Sequence, residues 1–444
     1  MDLLTDNGSG EFVTSRLSVL ILSFEYPPKA GAGVHVFELA TGLSRAGCEV
    51  TIVAPTTGHA GILREQNVTV HLVAPSAETC ASVAHLSTVQ GVLALHDDLL
   101  GRVRSLIVEE GLRPDVIHCH DWYTYKIART IGQLLGVPVI GTVHSTSEPI
   151  VRWWGELPDP EVVEQEAALY RNADALIMVS RSMRDIIKGV YKLPDERMRV
   201  IHNGFDPTPF MRQSFNPTSV GKLRQTIARP DEKIIIYAGR LTLQKGLAAL
   251  LASAARVIEQ HPKACYLLVG EPDSRNSAQM VEQLLQRYPQ LRTKVKMLGR
   301  VARRQLAMLY QVADVAVIPS VYEPFGYAAI EALSACVPVI ATAVGGLPEI
   351  IEHGKSGLLV PVRPHDARPH EVDVAELTAA QIMLLSDQEA ARRLGEGGRD
   401  RVLEQFTLER MIQATIQLYR DTLSGFHRPP VEDLSLPAQR LATN

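Results

Sequence analysis

Two successive series of short β-branched runs, each run separated from the next by a helix-length amphipathic stretch, leave this chain few architectures. LSVLILS (17–23), EVTIVA (49–54), VTVHLVA (68–74), DVIHCH (115–120), PVIGTVH (138–144), ALIMVS (175–180) and MRVIHN (198–203) read as strands of the first series. KIIIYAGR (233–240), CYLLVGE (265–271), VKMLG (295–299), VAVIPS (315–320), PVIATAV (338–344) and GLLVPV (357–362) make the second. Nearly continuous apolar strands alternating with helices build parallel sheets covered on both faces. The expected class is α/β, with two Rossmann-like doubly wound domains. Such sheets bind ligands at the strand carboxyl ends, here in a cleft between the two domains.

The length of 444 residues suits two domains. The change-over falls at HNGFDPTPF (202–210), an Asn-Gly turn followed by two prolines. The expected units are a leader or flexible extension (1–14), an N-terminal domain (15–206) and a C-terminal domain (207–405). A helix (406–425) then packs back toward the N-terminal domain, and a Pro-rich tail (426–444) follows. Thr407 is placed to cap that helix, and Phe406 to pack against Met411. Gly136 is placed to end the helix that follows HDWYTY.

No apolar run approaches the ~20 residues of a membrane span. The five cysteines are scattered, with no C-x-x-C pair, which points to reduced thiols and a cytoplasmic location. Residues 15–206 carry 17 Lys/Arg against 22 Asp/Glu, and residues 207–444 carry 28 against 24. A nucleic-acid partner is not expected, and the more basic half is the better home for an anionic ligand.

Four places carry groups that chemistry could use. In PPKAGAGVHVFELA (27–40), Gly31 and Gly33 let backbone amides at a helix start approach an anion or a sugar, although an ordinary strand-to-helix turn has the same composition. His118, Cys119 and His120 end one strand and His144 another, but without a second spaced pair no metal site is expected. Asp121 and His144 fit sugar-hydroxyl contacts instead. Arg240 and Lys245 in YAGRLTLQKG (237–246) offer two cations to a diphosphate. In EPFGYAAIE (323–331), the amides of Phe325, Gly326 and Tyr327 are free at a helix start, with Pro324 at its first position. Glu331 lies roughly 8–9 Å along that helix, with Glu323 on the other side of the anion position. A glycosidase acid/base pair would need no cations between its carboxylates. Two acids flanking a cationic pocket fit a clamp for a ligand with hydroxyls at both ends and phosphates between.

Taken together, these stretches resemble the family-4 retaining glycosyltransferases of GT-B architecture. The resemblance runs through YPP…GAG (26–33), HDW (120–122), VSRSM (179–183), VIHNGFD (200–206), AGRL…KG (238–246), VGE (269–271), PSVYEPFGYAAIEA (319–332), GGLPEII (345–351) and GKSGLLV (354–360). EYPPKAGAGVHVFELA and HDWYTY are most similar to glycogen-synthase-type enzymes and related maltosyl-phosphate-forming ones.

The resemblance implies a retaining transferase that moves a hexosyl group from a nucleotide diphosphate sugar, of UDP- or ADP-glucose or GlcNAc type. The acceptor would be a hydroxyl of a soluble small molecule or glucan. It further implies no metal and no cofactor beyond the nucleotide-sugar co-substrate. Arg240 and Lys245 would hold the diphosphate, Glu323 the transferred sugar with the Phe325 and Gly326 amides assisting, and Glu331 the ribose. Gly31 and Gly33 would approach from the opposite domain, and His144 would contact the donor sugar near its reacting carbon. Asp121 would lie on the acceptor side, and Leu298, Gly299 and Arg300 would hold the base through the backbone. Three departures, Cys336 where the family usually has Gly, GAG in place of GG, and HSTSEP (144–149), which is not typical of polymer-forming synthases, bear on the acceptor rather than on this machinery. An epimerase on the same scaffold and a non-catalytic nucleotide-sugar-binding protein are the alternatives. The sequence sets no oligomeric state.

Overall fold

The structure, a computed structural model, describes residues 16–26, 31–65, 67–82, 89–147, 159–363 and 371–427. The 1–14 leader and most of the 426–444 tail fall outside the described residues.

Two parallel sheets form. The first contains β1 (Ser18–Leu22), β2 (Glu49–Pro55), β3 (Gly61–Glu65), β4 (Val68–Val73), β5 (Val116–His120), β6 (Val139–Val143), β7 (Ala175–Met178) and β8 (Met198–Val200). Its spatial order is β3-β4-β2-β1-β5-β6-β7-β8, parallel except for the β3–β4 pair. The second contains β9 (Lys233–Ala238), β10 (Ala264–Val269), β11 (Val295–Gly299), β12 (Val315–Ile318), β13 (Val339–Thr342) and β14 (Leu358–Val360), in the order β11-β10-β9-β12-β13-β14. The α/β, doubly wound expectation holds. Each sheet reverses its winding once, between β1 and β5 and between β9 and β12, and at such a point a crevice opens beyond the strand ends.

Side-chain alternation fills both faces. Leu20 and Leu22 enter one apolar cluster and Val19 and Ile21 another, while Ile234 and Ile236 separate in the same way from Ile235 and Tyr237. This burial on two sides explains why the strands read as unbroken apolar runs.

The expected caps form. Gly136 ends the Tyr125–Leu135 helix with φ 62°, and the Thr407 side chain accepts from the Arg410 amide at the start of Leu408–Gly425. That last helix returns to the first sheet, where Met411, Ile412, Leu418 and Tyr419 share a cluster with Val36, Leu39 and Leu43. The expected Phe406–Met411 packing does not form. Phe406 stays in the second domain, with ring centroids 5.5 Å from His202 and 6.1 Å from Phe325. Its carbonyl accepts from the Phe205 amide, so the two chain crossings between domains run side by side. The helix after Pro324 also starts later than expected, at Tyr327. Gly326 has φ 128°, a non-helical conformation that leaves Pro324 in the preceding turn.

Candidate active site

The second sheet places the expected residues of its half at or beyond its carboxyl edge. Arg240 and Lys245 lie between β9 and the Leu247–Gln260 helix, and Glu323 lies after β12, so they flank the point where the winding reverses. The two loops are joined by a hydrogen bond from the Val321 amide to the Gln244 carbonyl, 3.0 Å. Gly246 has φ 70° and packs so closely that a Cβ there would run into the Pro319 carbonyl. Only glycine meets both conditions. This close seating brings Lys245 Nζ to 2.7 Å from Glu323 Oε2, and Ser320 Oγ donates to the same oxygen at 3.1 Å. Arg240 points outward to Asp273 (3.0 Å) and Gln244 (3.2 Å), half exposed and not in contact with Glu323.

Phe325 is buried, with Gly326 and Tyr327 at the amino end of the Tyr327–Ser334 helix. Glu331, one turn beyond Tyr327, is half-buried. Loss of solvation raises its carboxyl to about 7; Arg303 draws it down and Glu38 pushes it up. The two acids are thus held apart, one on Lys245 and the other beside Arg303. Leu298, Gly299 and Arg300 close the edge strand β11, where the Gly299 carbonyl accepts from the Gly270 amide and the Arg300 amide meets Glu271.

The first domain faces this edge. Gly31 opens the Gly31–Arg45 helix, and a Cβ on it would touch the Tyr327 ring at 3.3 Å; Gly33 is buried two residues further in. Asp121, after β5, adopts φ 54° and ψ −173°, a region otherwise confined to glycine. Its Oδ1 accepts from the amides of His144 (2.7 Å) and Ser145 (3.4 Å). Asp121 therefore fixes the loop that carries His144, and burial pushes its carboxyl to about 8.

His144 Nε2 lies 3.0 Å from His120 Nδ1, and His120 stacks on His118 at 4.6 Å. His118 is fixed between Tyr419 Oη (2.6 Å) and Thr142 Oγ1 (2.7 Å). Burial holds His144 and His120 well below the ordinary histidine range and His118 at about 3. All are neutral imidazoles at physiological pH. His35 adds a fourth ring, 4.7 Å from His144, which the sequence did not reveal because it lies on a helix remote from both strands.

Other contributors were also not legible. Tyr322, next to Glu323, inserts into the apolar cluster of the first domain. Arg303 reaches across to Glu38 at 2.9 Å. Glu349, in GGLPEII, accepts from the Ser182 amide at 3.1 Å and lies 2.7 Å from His202 Nε2. Tyr322, Glu38 and Glu349 sat in stretches already noted, but nothing local marked their contacts. Arg303 within VARRQLAML reads as a solvated helix face.

Comparison with known proteins agrees with this geometry. Residues 30–209 match the model of Glycosyltransferase Family 4, and residues 221–401 that of Glycosyl transferases group 1. The chain is 32% identical to the alpha-maltose-1-phosphate synthase of Mycolicibacterium smegmatis, over 91% of this chain and 99% of the relative. It is 29% identical to the glycogen synthase of Mycobacterium tuberculosis, over 95% and 100%. Among solved structures, a sucrose-phosphate synthase from Thermosynechococcus elongatus superposes with a TM-score of 0.78 at 26% identity, over 92% of this chain and all of the other. These likenesses support transfer rather than epimerisation or binding alone. With both halves of the chain matched and the doubly wound pair in place, the chain belongs to the family-4 glycosyltransferases of GT-B fold, enzymes of nucleotide-sugar glycosyl transfer.

Proposed function

We propose that the chain is a retaining hexosyltransferase that takes its sugar from a UDP- or ADP-linked donor of the glucose or GlcNAc type and needs no metal. The acceptor is a hydroxyl of a soluble small molecule or glucan. The observation that carries this reading is the Lys245–Glu323 contact at the winding reversal of the second sheet. A cation and a carboxylate already paired can part to either side of an incoming donor. Lys245, with Arg240 swinging from Asp273, takes the diphosphate, and Glu323 accepts the hydroxyls of the transferred sugar. The free amides before Ala328 add the positive end of the Tyr327–Ser334 helix.

In this reading the charge that develops on the departing diphosphate falls among groups fixed in advance, which lowers the barrier without a metal ion. Glu331 holds the ribose, and the backbone at Leu298–Arg300 holds the base. Neutral His144, clamped by Asp121 and His120, contacts the sugar near its reacting carbon with Gly31 and Gly33 close by. Transfer then proceeds on the face the leaving group vacates, and the departing phosphate removes the acceptor proton. The anomeric configuration is kept. The test is proton NMR of the first product formed from an α-linked donor in metal-free buffer containing a chelator. An α-glycoside is expected; a β-product, or activity abolished by the chelator, overturns the proposal.

A further inference from the structure

Three histidines from three elements converge beside the proposed donor position. His35 comes from the Gly31–Arg45 helix, His120 from the end of β5 and His144 from just beyond β6. One ring nitrogen of each lies within 4.8 Å of the others. His35 and His120 are 3% and 2% exposed, so polar atoms there cannot rely on bulk water. Among the described residues, neither ring nitrogen of His35 makes a well-aligned hydrogen bond, nor does His120 Nε2, although the Asn203 side chain lies within reach of the His35 ring. Buried polar atoms left in this way are uncommon and call for a bound species that satisfies them.

We propose that His35, His120 and His144 form a site for a divalent transition-metal ion of the zinc type. Neutral imidazole is a preferred ligand for such ions, whereas calcium and magnesium require oxygen donors that this set lacks. Three histidines leave a fourth position for water or a sugar oxygen. Zinc at its usual bond length draws its ligand nitrogens to roughly 3.4 Å from one another. His120 Nδ1 and His144 Nε2 are already 3.0 Å apart, so the adjustment falls on His35, whose ring makes no well-aligned hydrogen bond. The Asn203 side chain lies within hydrogen-bonding reach of His35, and its Oδ1 makes no well-aligned hydrogen bond. It is placed to accept from the second ring nitrogen, the outer contact that commonly orients a metal-bound imidazole. Since His144 is assigned above to the donor sugar, an ion here shuts off transfer. That consequence rests on the proposed function; the metal site itself does not.

The test is cobalt(II) titration of the full chain, read by visible absorption. One equivalent of four-coordinate cobalt is expected, displaced by zinc. His35→Gln and His120→Gln should each remove the signal, and Cys80→Ser, which takes away an exposed thiol, should leave it. Absence of the signal in the unaltered chain, or its survival in His35→Gln, overturns the site. A zinc-soaked crystal of the unaltered chain gives an answer that does not depend on the variants folding, because an anomalous peak must lie between the three rings. If the metal binds there and transfer continues undiminished, the site stands and the donor-side role of His144 falls.

Discussion

Arg303 of the second domain places its guanidinium 2.9 Å from Glu38 of the first and over the rings of Phe205 and Phe210 at the chain crossing. Glu331 lies in the field of the same guanidinium. Glu38 is 4% exposed, and lost solvation outweighs the attraction of Arg303, so its carboxyl also rises to about 7. Two acids sharing one base titrate as a coupled unit.

On the role proposed for Glu331, this pair makes donor binding depend on pH, because only an ionised carboxylate accepts from both ribose hydroxyls. Nucleoside diphosphate affinity should therefore rise as pH increases through about 7, and calorimetry in different buffers should detect proton release. Glu38→Gln removes a neighbouring negative charge and should move the midpoint to lower pH. Stability runs the other way. Both folded values lie above the unfolded one near 4.5, so their contribution is full below that pH and is lost as pH rises through about 7. An affinity that is flat across this window would refute the coupling.

The roles proposed for Glu323 and Glu331 are separable by experiment. Glu331→Ala should weaken nucleoside diphosphate itself, and Glu323→Ala only the intact nucleotide sugar. Each loss should be about 10- to 100-fold, the range for hydrogen bonds to a charged group. Equal losses for both ligands in both variants, measured by calorimetry, would reject the assignment.

Asp121 trades backbone strain for position. Asp121→Asn keeps an acceptor for the His144 and Ser145 amides and should keep most of the activity. Asp121→Gly removes strain of about 1–3 kcal/mol but frees the His144 loop, so the melting temperature should hold while kcat falls about tenfold or more. Retained kcat in the glycine variant would show that the carboxylate does not position His144.

Cys336 adopts φ 63°, in the left-handed region that favours glycine. Cys336→Gly should stabilise the protein by about 0.5–1 kcal/mol, the left-handed penalty less the entropy that glycine loses on folding. Denaturant unfolding gives the sign, and destabilisation would mean that the thiol's packing outweighs the strain.

The strands and the helix ends were legible because each is set by neighbours in sequence: Thr407 caps, Gly136 terminates, and alternating Val, Leu and Ile select two buried faces. The edge strand β3 was not, because the 60–91 stretch carries mixed signals and Gly61–Glu65 is held only by antiparallel pairing to β4. The EPFGYAAIE acids and the Arg240/Lys245 cations were visible as residues. That Lys245 rather than Arg240 touches Glu323 depends on the Gly246–Pro319 approach, which is long-range. Arg303 and His35 were silent for the same reason. Each acts across a distance in sequence that no local pattern encodes.

The Leu408–Gly425 helix completes the apolar layer around Val36, Leu39 and Leu43, although almost the whole second domain separates them in the chain. During synthesis the first half must wait, with that layer uncovered, until the final segment has left the ribosome. Cutting the gene between the two matched regions would consequently yield an amino-terminal product lacking part of its own interior, and an isolated carboxyl-terminal product ending in an unsheltered apolar helix.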